Sequence, residues 1–162
     1  MKLQYWILAC AAAAAAGFAG CSYDRGEAAL QPQGAGFFFS EDGGSAKLAY
    51  GVADSDDVGL TMECAEGSQT VRVSDLVRSS PAPLLVLASS GRSSELKPVV
   101  EAGEGGSIFT VSAPTAAPAL AGFRYSGKIE VAYAGLSYRL AAKPSEKPIV
   151  DRFFAACDGQ QA

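Results

Sequence analysis

The densest group of side chains able to do chemistry is acidic: Asp54, Asp56 and Asp57 crowd into ADSDD (53–57). Clustered carboxylates can ligate Ca2+, a hard cation that takes about six to eight oxygen donors. A helix-flanked Ca2+ loop also needs suitable donors at its fifth and twelfth places. Counted from Asp54, these are Val58 and Ala65. The cluster therefore reads as a solvated turn, and no metal or other cofactor is expected. A second candidate is Ser94-Glu95-Leu96-Lys97, which matches S-x-x-K, where a lysine activates a serine. That motif works from a helix start beside SDN and KTG boxes, and the sequence has neither.

Other chemistry thins out quickly. The chain contains no histidine, which removes the commonest general base and the commonest zinc ligand. Gly103-Glu104-Gly105-Gly106 lacks the Lys-Ser/Thr of a phosphate-cradling loop and reads as a turn. Tyr125, Tyr133 and Tyr138 could line a ligand groove, although tyrosines on strands more often pack half-buried. No catalytic set emerges, so a non-catalytic protein is expected. An enzyme or enzyme inhibitor with a carboxylate-based site is the alternative.

The elements that would hold these residues are mostly strands. AKLAYGV (46–52) alternates with Leu48, Tyr50 and Val52 on one side, and VGLTMEC (58–64) with Val58, Leu60, Met62 and Cys64. With the acidic turn between them they form a hairpin, and QTVRVSDL (69–76) extends it to a three-strand meander. Phe37-Phe38-Phe39 reads as an edge strand or the first segment packed on the core. PAPLLVLAS (81–89) is a continuous apolar run suited to a strand buried on both faces or crossing the core. ELKPVVEA (95–102) alternates weakly, and Pro98 makes it an edge strand. SIFTVSA (107–113) is a strand. Residues 114–127 allow a short helix before Gly127. KIEVAYAGLSYRLA (128–141) is a hairpin turning at Ala134-Gly135.

The end of the chain changes period. Ile149, Val150, Phe153, Phe154 and Cys157 recur at helical spacing, behind Pro148 in the first turn and ahead of Gly159 as a C-terminal cap. The fold class expected is mainly β: a compact antiparallel β-sandwich or small barrel with a short C-terminal helix.

The N-terminus carries a different signal. Lys2 supplies a positive start, Leu3–Phe18 is almost wholly apolar, and small residues lead into Cys21. This order is that of a secretory signal. A retained membrane anchor, which needs about 20 apolar residues, is the rival reading. Phe18-Ala19-Gly20-Cys21 resembles the lipobox of bacterial lipoproteins, with Phe18 where leucine is commonest. The resemblance implies that the Cys21 sulfur is diacylglycerylated and the chain cut just before it. It also implies sorting: aspartate after the cysteine favours inner-membrane retention, so Ser22 points to the periplasmic leaflet of the outer membrane.

Three segments follow from this: residues 1–20 as lipoprotein signal peptide, 21–36 as lipidated flexible tether, and 37–162 as a single β-rich domain. A tether of that length spans about 20 Å as a coil. Cys10 leaves with the signal and Cys21 becomes a thioether. Only Cys64 and Cys157 then remain, and in an oxidising compartment they are expected to pair. The 13 basic and 17 acidic residues give a net charge of −4 with no basic cluster, which argues against nucleic acid as a partner. The partners expected are the membrane, through the lipid, and an envelope protein.

Overall fold

The computed structural model of the protein describes residues 33–55, 58–77, 81–103 and 106–160. In chain order the elements are β1 (Gly36–Asp42), β2 (Ser45–Gly51), β3 (Val58–Ala65), β4 (Thr70–Val77), β5 (Leu85–Ser89), β6 (Arg92–Leu96), β7 (Val99–Gly103), β8 (Gly106–Pro114), α1 (Pro118–Ser126), β9 (Lys128–Tyr133), β10 (Leu136–Ala141) and α2 (Lys147–Cys157). Sheet A has six strands in the order β1-β2-β3-β4-β8-β7, and sheet B four in the order β10-β9-β5-β6. All pairings are antiparallel. Both sheets stay open at their edges, so the mainly-β expectation resolves as two facing sheets with two helices and not as a barrel.

Alternation decides which side of each strand is buried. On sheet A, Phe37, Leu48, Met62, Val73 and Val111 lie on one face and are buried to 3% exposure or less. The register carries that face across five strands: Phe39 opposes Leu48, Leu48 opposes Met62, Met62 opposes Val73, and Val73 opposes Val111. The hairpin and meander read from the sequence are present in this register. The first strand starts at Gly36, inside the stretch expected to be tether, and Ala35 is already buried.

The inner face of sheet A is covered in two different ways. Over β1 and β2 lies α2, and Cys64 on β3 is disulfide-bonded to Cys157 of α2. Helix α1 packs on β5, β6 and β9 and reaches the same region through Phe123. An aromatic chain links these parts: Tyr50 to Phe37 at 5.0 Å, Phe37 to Phe123 at 5.4 Å, Phe123 to Phe154 at 6.0 Å and Phe154 to Phe153 at 5.3 Å. The β4–β8 side instead meets sheet B directly, with Phe109 against Tyr133 at 5.1 Å.

Two stretches differ from their sequence reading. The run 81–89 is a strand only from Leu85, and only Leu85, Leu87 and Ser89 are buried; Val86 and Ala88 are half-buried on the other face. Residues 95–102 are not one edge strand but the ends of two, β6 at the edge of sheet B and β7 at the edge of sheet A. Lys97 and Pro98 lie between them, where a proline without an N–H is missed by neither ladder.

The helix ends follow from local chemistry. Gly127 closes α1 in the left-handed conformation, its N–H bonded to the Phe123 carbonyl. At the end of α2, Gly159 N–H meets the Ala156 carbonyl and Gln160 N–H the Ala155 carbonyl, a Schellman closure. Asp158 then accepts from Thr115 Oγ1 at 2.8 Å and Arg124 at 2.6 Å, which ties α2 to α1 and to the loop after β8.

Candidate functional site

The residues singled out by sequence do not converge. Cys21, the whole 1–20 segment and most of the tether lie outside the described residues, as do Asp56 and Asp57. Asp54 sits exposed in the β2–β3 turn with a φ of 57°. Cys64 and Cys157 are joined, with Cα atoms 5.6 Å apart, as the cysteine arithmetic expected. Ser94 Oγ accepts a hydrogen bond from the Ala119 N–H in the first turn of α1, so it caps a helix; Lys97 is exposed beyond the end of β6. The three tyrosines part company. Tyr125 is 85% exposed on α1, Tyr133 accepts from the Ala82 N–H, and Tyr138 reaches sheet A. Among the described residues, no three His, Cys, Asp or Glu side chains gather to hold a metal ion.

Two polar constellations bind separate parts of the fold together. The first fastens the start of β1. Lys143 donates to the Ala35 carbonyl at 2.8 Å, and Glu146 accepts from the Lys143 and Phe37 backbone N–H groups. Burial alone would raise the Glu146 pKa, but these hydrogen bonds and the nearby Lys143 ammonium hold it below the usual carboxylate range. A Cβ at Gly36 would come within 2.3 Å of a Glu146 carboxylate oxygen, so a larger residue there would push that carboxylate aside. Further along β1, Arg152 pairs with Glu41 at 2.7 Å and lies 4.8 Å above the Phe39 ring. The start of the outer edge of β1, a ladder that otherwise invites foreign strands, is in this way covered by the approach to α2.

The second constellation is the seam between the sheets. Asp75 shares the inner face of β4 with Val71, Val73 and Val77, and it opposes Phe109 of β8. Tyr138 lies opposite Val131 on the inner face of β10 and donates its hydroxyl to the Asp75 carboxylate. Burial pushes the Asp75 pKa up, against the pull of the Tyr138 hydroxyl and the Leu76 N–H. Burial, reinforced by the Asp75 charge, also pushes Tyr138 well above an ordinary phenol. Both groups are held in their protonated forms more firmly than in water. Sequence reasoning passed over this pair, yet the signal was present. In QTVRVSDL the period of two that buries Val71 and Val73 also turns Asp75 inward.

The outer face of sheet A is a solvated surface crossed by a charged row. Lys47, Glu63 and Arg72 stand side by side in register, and the hydrogen bond from Arg72 holds Glu63 below the usual carboxylate range. With Ser40, Thr70 and Ser68 they line a shallow groove of about 710 Å3. The neighbouring row, Phe38-Ala49-Thr61-Ser74-Thr110-Val99, carries no charge, and Phe38 and Val99 at its ends are exposed. Glu63, at the centre of this surface, is paired with both Lys47 and Arg72. No protein-family model matches the chain, and no curated protein or solved structure does either.

Proposed function

We propose that the chain is a lipid-anchored protein of the bacterial cell envelope that works without catalysis, as a binding or assembly module. Its lipid is carried on Cys21, and it is held at the periplasmic leaflet of the outer membrane. The domain holds an envelope protein partner on a β-surface. The observation that carries this reading is the Cys64–Cys157 disulfide, 93 residues apart in sequence and buried at both sulfurs. Such bonds form and persist in oxidising compartments, which agrees with export by the N-terminal segment. The lipobox-like Phe18-Ala19-Gly20-Cys21 supplies the anchor, since two acyl chains on one cysteine bind a bilayer stably where one does not. The open, hydroxyl-bearing outer face of sheet A supplies a contact surface.

Fractionation of cells producing the full chain tests the anchor. The wild type should sediment with membranes and enter a detergent phase, while Cys21→Ser should remain in the aqueous phase. Equal partition of the two would end the lipid reading. Cross-linking in intact cells, followed by detergent extraction, tests the module. One envelope protein recovered in constant ratio supports it, and recovery of the chain alone under all conditions counts against it.

A further inference from the structure

We propose that the chain pairs with a second copy of itself along β7, antiparallel and centred on Val100, so that two six-stranded sheets join into one. The edge strands of the two sheets differ in how they are guarded. The start of β1 is covered by Lys143 and Glu146, and its far end carries Glu41 paired with Arg152. β6 has α1 packed on it, with the Ala119 N–H on Ser94, and exposes Arg92 and Glu95. β10 carries Arg139, paired with Glu130, in its second half. For β7, no hydrogen bond or ion pair beyond its pairing with β8 occurs among the described residues. Beside it the outer face of sheet A is apolar. Val99 is 64% exposed, and Ile108 (40%) and Leu76 (43%) stand opposite each other on β8 and β4.

The hydrogen-bond phase of β7 follows from its pairing with β8. Gly103 pairs with Gly106 across only two intervening residues, and a pair that close to its turn exchanges backbone hydrogen bonds directly. The phase then alternates along the strand. Val99, Glu101 and Gly103 bond to β8, while the N–H and C=O groups of Val100 and Ala102 point away from it. These outward groups have no partner among the described residues. Since the Val99 N–H faces β8, the Pro98 carbonyl on the same trans peptide also points outward.

This edge is complementary to itself. In a twofold antiparallel pair the axis passes through one residue position, and outward groups must meet outward groups. With the axis at Val100, both of its backbone groups bond the second copy's Val100, and each Ala102 N–H reaches a Pro98 carbonyl. An axis at Val99 leaves the Ala102 N–H unused, and one at Ala102 runs Val100 past the end of the strand. An axis at Glu101 sets two carboxylates directly opposite, which is destabilising. The Val100 axis instead sets Lys97 diagonal to the second copy's Glu101 on both sides, about 7–8 Å away and within reach of long side chains. Lys97, Val99 and Glu101 are exposed in alternation with half-buried Pro98 and Val100, so they share the outer face. The two Val99 side chains are diagonal neighbours there, and the two apolar shelves meet. This match of opposite charges under a twofold axis selects a second copy as the occupant. The pairing does not depend on the lipid anchor, and it leaves the row Lys47-Glu63-Arg72 uncovered.

Sedimentation equilibrium of the purified full-length chain in density-matched detergent, at low salt and rising concentration, tests the pairing. The wild type should pass from monomer to dimer with no larger species, because a twofold contact closes on itself. Ala102→Pro removes an outward N–H that β8 does not use. It should leave the melting temperature unchanged and weaken the dimer about tenfold or more. Lys97→Glu and Glu101→Lys should each weaken it severalfold, and the two together should restore it. A wild type that stays monomeric at every concentration, or a dimer untouched by Ala102→Pro, would overturn the proposal. A double charge variant no tighter than the single ones would do the same. Should Ala102→Pro fail to fold, the charge exchange decides alone. Cys21→Ser, measured without detergent, should dimerise as the wild type does, and a dimer lost with the lipid would count against β7.

Discussion

The two sides of sheet A are closed by different physics. Over β1–β3 the covering is redundant: a disulfide, four linked aromatic contacts, the Lys143–Glu146 fastening and the Asp158 ties all hold the same helices. Over β4 and β8 the covering is a second sheet, held among the described residues by apolar contact and a carboxyl–phenol hydrogen bond. The first side loses little if any single contact is cut, except the covalent one. The second concentrates its polar specificity in one bond whose strength depends on a proton. Stability should accordingly be uneven, with opening beginning at β10 and α2 leaving last.

Cutting the disulfide should break the comparison most severely. In the chain-entropy account, a crosslink over 93 residues contributes about 4–5 kcal/mol. Cys64→Ala with Cys157→Ala should lower the unfolding free energy by that amount, read from the shift in denaturant midpoint, and bring exchange at α2 close to that at β10. If α2 still exchanges last, the aromatic chain and not the disulfide fixes the order. The matching cut on the other side is Gly106→Ala. A Cβ there would lie 2.5 Å from the Val77 carbonyl oxygen, so β4 and β8 must shift apart at the seam end of the sheet. We expect a loss of about 2 kcal/mol, the usual range for overpacking, with α2 protection unchanged. Measured stability equal to wild type would mean the strand end yields freely.

The helix-covered side was largely legible in the sequence, and the seam was not. The spacing of Val150, Phe153, Phe154 and Cys157 is periodic, Pro148 and Gly159 mark the ends of the helix, and Cys64 and Cys157 were the two cysteines expected to pair. These are local signals of the kind that survive without a structure. Which sheet a strand joins is a long-range fact with no local mark, so β6 and β7 looked like one strand although Pro98 stood between them. Asp75 was hidden for a similar reason. Its inward parity was readable, but its partner lies 63 residues away on a strand of the other sheet. Of the candidate site residues, Cys64 and Cys157 came together, while the Ser94 hydroxyl caps a helix end and Lys97 is exposed past β6.

Tyr138→Phe isolates the seam. Loss of the hydroxyl leaves the half-buried Asp75 carboxyl with the Leu76 N–H, at a cost of about 1–2 kcal/mol. The pH dependence has a fixed sign. Burial already raises the folded-state pKa of Asp75 above its unfolded value, so the stabilisation from this group is complete below the unfolded value. It is lost as pH rises through the folded one. The variant lacks a donor that favoured the ionised form, so its Asp75 should titrate higher still and its deficit should widen from acid to neutral pH. Urea midpoints at about pH 4 and 7 check this, and a deficit independent of pH would show that the phenol acts through packing alone.

The smallest expected effect is a gain, and it separates the turn before β10 from the Asp75–Tyr138 hydrogen bond. Ala134 is held at a φ of 53° in the two-residue turn before β10, and Gly135 follows at 81°. An alanine in the left-handed region carries a steric cost of about 1 kcal/mol, which asparagine largely escapes through its local hydrogen bonds. Asn-Gly is also the pair best suited to a turn with both central φ angles positive. Ala134→Asn should therefore stabilise the protein by about 0.5–1 kcal/mol. It touches neither Asp75 nor Tyr138, so any acid-to-neutral trend set by Asp75 should persist at a uniformly higher level. If the variant instead flattens the trend, the weak point on this side of the molecule is the turn, and the proton acts on β10 only because the turn already lets it move.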